Sequence, residues 1–336
     1  MSIDTKKRER EQKSATIEVA RIMQAAAIDR FGGPEVLTLH ELPVPPLDEG
    51  EVLIALDTAG VGSWDAEMRA GWYPFGPPSF PLVLGTDGSG YVGALGPRVR
   101  GFEVGEAVYS SSFLNPKGGY YAEFVAVAAE KVAPTPKGLT MREAGAIPAT
   151  GLTAIQGIDD ALEIKPGESV AIVGASGGVG TLAVQFAKMR GARVLGTASG
   201  TDGVDLVRRL GADVAIDRED DDFTEALEKF APDGLDAVLG LAGGEVLDQL
   251  VMSVKSEGRV AYPNGVEPEP KKRPGIRITP YDAVPGVRQF EHLTRAVEEA
   301  KLQVPIAGTY PLGHASQAHE RLEQGHVLGK IVLEIR

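Results

Sequence analysis

The chain contains no cysteine among its 336 residues. Disulfides, thiolate nucleophiles and cysteine-ligated zinc are excluded at once. No apolar run approaches the roughly 18 residues that a membrane-crossing helix needs, so no membrane partner is expected. Positive charge is in short supply: 34 Lys and Arg face 47 Asp and Glu, a formal net charge of −13. Such a surface repels phosphate backbones, which argues against nucleic acid as a partner. The five histidines, at 40, 292, 314, 319 and 326, show no metal-ligand spacing, and no metal is expected. The opening Met1 to Glu11 is too charged for a secretory signal, so a cytoplasmic protein is the expectation.

What is present is glycine, 42 residues of it, in a chain that is 43% hydrophobic and 24% charged, the balance of a globular protein. Residues 1–22 are mixed in charge and poor in large apolar groups, and read as a disordered or loosely helical tail. From Met23 to Pro148 strand-like runs such as Glu51 to Leu56 alternate with Pro- and Gly-rich turns. One loop there is rich in aromatics: Trp72, Tyr73, Phe75 and Phe80. Beyond Thr150 the texture changes to short apolar strands alternating with helices, which implies an α/β fold with a doubly wound parallel sheet covered on both faces. The expected strands are Ser169 to Val173, Arg193 to Thr197, Asp213 to Ile216, Leu235 to Leu241 and Arg259 to Tyr262. A closing strand–helix–strand segment, about 304–336, could return to the β-rich half and complete it.

The strongest motif is Gly174-Ala175-Ser176-Gly177-Gly178-Val179-Gly180, between an expected strand and an expected helix. Glycines there let the chain turn tightly, bring backbone close to a diphosphate and pack helix against strand. The helix mouth offers free N–H groups and partial positive charge. The spacing departs from G-x-G-x-x-G, but the strand–turn–helix–strand context points to a dinucleotide. A tight turn without a ligand is the plainer alternative.

NAD binders place an acid about 20 residues beyond the turn, on the ribose 2′-hydroxyl. Here the sequence reads Gly196-Thr197-Ala198-Ser199-Gly200-Thr201, with no carboxylate. Ser199 and Thr201 can donate to a 2′-phosphate, and Arg218 could add charge or stack on adenine, which favours NADPH over NADH. A solvated cation between Asp217 and Glu219 is the alternative for Arg218.

The chain resembles the zinc-free quinone oxidoreductases, the zeta-crystallin-like branch of the medium-chain dehydrogenases/reductases. The resemblance is carried by Ile28 to Leu37 (IDRFGGPEVL), Leu84 to Gly90 (LGTDGSG), Gly118 to Glu123 (GGYYAE), Gly151 to Ala154 (GLTA), the Gly-rich turn and Gly329 to Leu333 (GKIVL). It implies a GroES-like substrate domain at 23–148, completed by about 304–336, and a Rossmann domain at 149–303 with the active site between them. It also implies Thr153 and Asn264 at the nicotinamide end, with Lys330 in the cofactor set, and a homodimer. Zinc-dependent relatives carry a Cys where Gly62 stands and Gly-His-Glu where Gly85-Thr86-Asp87 stands. Departures from the branch are Gly62-Ser63-Trp64-Asp65 in place of Asn-Pro-x-Asp, no Lys near Gly203, and Arg218 in place of Tyr.

Without a metal to polarise a carbonyl, hydride transfer is easiest to a quinone or an enone, whose charge spreads onto a distant oxygen. The expected activity is therefore NADPH-dependent reduction of a small quinone or α,β-unsaturated carbonyl. Ser63, Trp64 and Asp65 are the candidates by family position to position substrate or donate hydrogen bonds. Tyr73 and Phe113 would be apolar walls, while ordinary packing is the alternative for Trp64 and Tyr73. Ala242 and Gly243 would let the nicotinamide ring approach closely. No residue reads as a clear general acid. Enoyl-thioester reduction and a non-catalytic NADPH-binding role stay open. A short-chain dehydrogenase is set aside because no Tyr has a Lys four residues on.

Overall fold

The computed structural model describes residues 21–74, 76–217 and 223–336. Phe75, Arg218 and residues 1–20 of the expected tail lie outside the described residues.

The first half is built on strands. Strand β1 (Ile22–Ile28) pairs antiparallel with β2 (Thr38–Pro43) and with the short β4 (Leu82–Val83). Strand β3 (Glu51–Val61) is the axis of a larger sheet. It pairs antiparallel with β5 (Asp87–Leu95) and with β7 (Phe124–Ala128). Strand β5 continues to β6 (Ala107–Ser111), and β6 to β8 (Val132–Pro134). Helix α1 (Ser63–Ala70) follows β3 directly. Its Asp65, Met68 and Arg69, spaced i, i+3, i+4, form the face turned inward, as the helical period requires.

The chain leaves this half through α2 (Met141–Ala146) and α3 (Pro148–Gln156). There follow β9 (Ser169–Val173), α4 (Gly178–Met189), β10 (Arg193–Ala198), α5 (Gly200–Arg209), β11 (Val214–Asp217), α6 (Phe223–Phe230), β12 (Leu235–Gly240), α7 (Glu245–Met252), β13 (Val254–Pro263) and β14 (Arg277–Tyr281). The strands form one parallel sheet in the order β11-β10-β9-β12-β13-β14. That is the doubly wound Rossmann order, reversing between β9 and β12. All of β9 is buried, as a central strand covered on both faces must be. Strand β13 begins earlier than its apolar run Arg259 to Tyr262, because Val254 pairs with Leu235 ahead of a register shift.

After α8 (Val287–Ala300) the chain returns to the first half. Strand β15 (Ile306–Pro311) runs parallel to β16 (Lys330–Glu334), and β16 pairs antiparallel with β3, Ile331 opposite Val61. Helix α9 (Ala315–Glu323) lies between them in sequence. Among the described residues no helix is long and apolar enough to cross a membrane.

Helix α4 packs on β9 because Gly180 has no side chain. A Cβ there would lie 2.2 Å from the Gly174 carbonyl oxygen and 2.6 Å from Ala175 Cα, both backbone. Gly180→Ala is therefore expected to push α4 off the turn and cost about 3 kcal/mol, in the range of severe overpacking. Urea unfolding followed by circular dichroism checks this, and a midpoint equal to the native one would contradict it.

Candidate active site

The point where strand order reverses opens a crevice at the C-terminal ends of β9 and β12, where doubly wound sheets bind ligands. The Gly-rich turn occupies it. Gly177 is the N-cap of α4; no side chain caps the helix, and its first turn carries no acid. The first N–H groups of a helix have no partner within it, so this mouth presents free donors. Cβ atoms on Gly177 or Gly178 would meet nothing nearer than 3.5 Å. No side chain covers the backbone there, and a dinucleotide's diphosphate fits such a cradle.

The other expected cofactor residues surround this turn. Ala242 lies beside it, its Cβ 3.8 Å from where a Gly174 Cβ would stand, and Gly243 is hemmed in by the backbone of Glu267 and Pro268. Ser176 is half-buried, and its carbonyl accepts from Gly329 N–H at 2.9 Å. Val179 is half-buried on the first turn of α4. Ser199 caps α5 by position, with Thr201 exposed in its first turn. Thr153 on α3 spends its hydroxyl on the Ala149 carbonyl at 2.8 Å. Asn264 is exposed beyond β13, its amide donating to Asp282 at 2.8 Å. One carboxylate escaped the sequence reading: Asp202, in the first turn of α5, lies 3.0 Å from His326 Nε2.

Lys330 joins the turn to the first half. Positions for Cβ atoms on Gly178 and Gly62 lie 3.5 Å from its Cδ and 3.4 Å from its Nζ. The side chain thus runs from the cradle to the start of α1. There Ser63 is exposed and Trp64 half-buried. Trp64 packs with Trp72 (ring centroids 5.1 Å) and Phe113 (5.3 Å). The Trp64 ring also closes on Gly265, next to Asn264, where a Cβ would stand 3.2 Å from it. Trp72 and Phe113 remain 45% and 40% exposed, so the cluster keeps an open aromatic face. Tyr73 does not join it; it lines a neighbouring groove with Met68, Leu84 and Leu114.

Asp65 is completely buried. Its Oδ2 accepts from Gly62 N–H at 2.8 Å and from the Tyr121 hydroxyl at 3.2 Å. Tyr121 in turn lies 3.1 Å from His319 Nε2 on α9. Buried Arg69 pairs with Glu323, also on α9. Asp87, fully buried, accepts from Ala149 N–H at 2.8 Å. Asp65 Oδ1, Asp87 Oδ1, Arg69 Nε and Nη1, and His319 Nδ1 are buried without a hydrogen-bond partner among the described residues. Burial pushes the Asp65 carboxyl up to about 7 against the pull of Lys330, and raises Asp87 for the same reason. Burial, with the Arg69 charge, holds His319 down to about 3, so its imidazole stays neutral.

Residues 48–137 match the alcohol dehydrogenase GroES-like domain and residues 210–333 the zinc-binding dehydrogenase family. Quinone oxidoreductase of Lama guanicoe is 32% identical, covering 94% of this chain and 98% of its own. The chain belongs to the quinone oxidoreductase family of zinc-free medium-chain dehydrogenases/reductases. A quinone oxidoreductase structure from Coxiella burnetii superposes with TM-score 0.83 at 31% identity, covering 94% of this chain and all of that one. The NADPH-dependent alkenal/one oxidoreductase of Arabidopsis thaliana chloroplasts is 30% identical over 95% of this chain and 81% of its own length. Like these quinone oxidoreductase relatives, the chain is an oxidoreductase enzyme with a GroES-like part and a Rossmann sheet.

The quinone oxidoreductase fold thus brings together Trp64, Lys330 and the glycines of the turn, and turns Asp65 inward. The buried partners Arg69, Asp87, Tyr121 and His319, and the exposed Glu323 that pairs with Arg69, are scattered over the chain, so nothing local in the sequence shows that they meet. Their titration has a sign. Folded Asp65 resists ionising while the unfolded residue ionises near 3.8, so its burial costs stability progressively between that value and about 7. Asp65→Asn should gain stability relative to the native chain as pH rises through this window. His319 does the reverse: the unfolded imidazole charges below 6.5 while the folded one waits until about 3, so stability falls as pH falls. His319→Gln should gain relative to the native chain as the solution is acidified. Melting temperatures across pH check both, and parallel profiles would contradict them.

Proposed function

We propose that the chain is an NADPH-dependent reductase of quinones and α,β-unsaturated carbonyls. The observation that carries this reading is the open aromatic face of Trp64, Trp72 and Phe113, set across the crevice from an uncapped, acid-free helix mouth. The relatives' names supply the rest: quinones for one and NADPH with alkenals and enones for another.

In this reading residues 149–303 hold the cofactor and 23–148 with about 304–336 the substrate. The amides of Gly178, Val179 and Gly180 receive the diphosphate, and Gly174, whose carbonyl holds the Gly177 N–H at 3.1 Å, turns the chain beneath it. Ser176, Ser199 and Thr201 serve the adenosine side. Thr153, Ala242, Gly243 and Asn264 flank the nicotinamide side, and Lys330 places an ammonium between the two halves. The bound nicotinamide supplies the hydride. Trp64, Trp72 and Phe113 stack a flat acceptor and exclude water, so that charge on the acceptor's oxygen forms in a poorly solvated space. Ser63 at the rim is placed to donate to that oxygen. Asp65 and Tyr73 hold α1 and the groove behind it rather than touching substrate. A homodimer fits the same reading, with β14 as the terminal strand of its sheet and Val284 and Val287 exposed beside it.

The test is NADPH oxidation with 1,4-benzoquinone and 9,10-phenanthrenequinone against crotonyl thioesters. Quinone turnover is expected, falling about tenfold in kcat/KM for Trp64→Ala, as the loss of one aromatic stacking contact implies. Turnover of the thioester alone would assign the site to enoyl reduction.

A further inference from the structure

The connection from α9 to β16 passes the end of β10 before reaching the Gly-rich turn. Arg321 on α9 clamps it, donating to the carbonyls of Gly325 at 2.8 Å and His326 at 3.0 Å. His326 is held at φ +48°, the left-handed region, which is unfavourable for a residue with a side chain. Gly329 then forms a bridge with Gly177. The strained residue aims its imidazole at the first turn of α5, where Nε2 lies 3.0 Å from each carboxylate oxygen of Asp202. Asp202 Oδ1 also accepts from Gly203 N–H at 2.9 Å, and Gly200 packs beneath the ring. Asp202 and Arg321 are the charged groups bonded to His326 among the described residues.

In a doubly wound sheet the end of the second strand faces the adenosine ribose of a bound dinucleotide. A carboxylate there accepts a bond from a 2′-hydroxyl and repels a 2′-phosphate. An imidazolium beside it neutralises the carboxylate and attracts the phosphate. The contact between His326 and Asp202 also holds the carboxyl below its ordinary range.

We propose that the Asp202–His326 pair selects between the two nicotinamide dinucleotides, favouring the 2′-phosphorylated one when His326 is protonated and the unphosphorylated one when it is neutral. The inference rests on the cofactor assignment above. It makes cofactor preference a function of pH and locates the control on a loop delivered from α9, outside the Rossmann sheet.

The experiment is calorimetric titration of the full chain with NADPH and NADH from pH 5.5 to 8.5, for native protein, His326→Asn and Asp202→Asn. Asparagine tolerates the left-handed backbone at 326, and both native side chains are substantially exposed, so the fold is kept. A 2′-phosphate has its own ionisation near pH 6, by analogy with other phosphomonoesters, and contributes equally to all three proteins. Relative to His326→Asn, the native ratio of NADPH to NADH affinity should fall about tenfold from the acid to the alkaline end, the worth of one charge-assisted bond. Asp202→Asn should raise NADPH affinity at pH 8.5 and weaken NADH. Identical pH profiles in native protein and His326→Asn, with both dinucleotides bound, would overturn the selector alone. Absence of binding by either dinucleotide would overturn the cofactor assignment and the selector with it.

Discussion

The free amides at the mouth of α4 are the constraint around which the rest of the molecule is arranged. A helix can leave its first N–H groups uncapped at the floor of a crevice only if something else satisfies them. Close packing delivers that mouth to the strand-order reversal, and Gly180 makes the packing possible by letting α4 rest on the backbone of Gly174 and Ala175. Every other feature of the site is placed relative to this point. Lys330 reaches it from β16, and the 325–329 loop is tied to it through Gly329. The aromatic face is built on Trp64 of α1, with Trp72 and Phe113 packed against it.

Helix α1 is short and could not hold Trp64 in place through its own hydrogen bonds alone. Its inward face is fixed instead by charged and polar groups from β5, from the segment before β7 and from α9. Removing carboxylates, a guanidinium and an imidazole from water is costly, and several of their atoms go unpartnered among the described residues. The sharing of this burden between Asp65, Tyr121 and His319 ties α9 to α1. Because α9 is followed by the loop that carries His326, the arrangement that steadies the substrate side also anchors the proposed cofactor selector.

Much of this was legible in the residues. The strand–turn–helix pattern and the alternating elements after Thr150 specify a doubly wound sheet, because glycine spacing and apolar periodicity are local signals. The return of the C-terminal strands to β3 was readable only as a possibility, since pairing between Ile331 and Val61 leaves no local mark. The buried network was not readable: Asp65 and Arg69 look like ordinary polar residues on a polar helix, and His319 like a surface histidine. By sequence Asp65 reads as a substrate contact by family position, together with Ser63 and Trp64, but the 3.6-residue period turns it inward with Met68 and Arg69. Asp202 escaped attention because the expected acid lies at the strand end, at Ala198, four residues earlier, and its partner His326 is 124 residues distant.

Hydrogen exchange at the peptide covering residues 174–181, read by mass spectrometry with and without saturating NADP⁺, tests the central claim most directly. Amides that receive a diphosphate must slow their exchange, and the account predicts protection concentrated on Gly178, Val179 and Gly180, since Gly177 and Thr181 already donate to Gly174 and Gly177 carbonyls. Protection elsewhere in the chain with unchanged exchange in this peptide would contradict it.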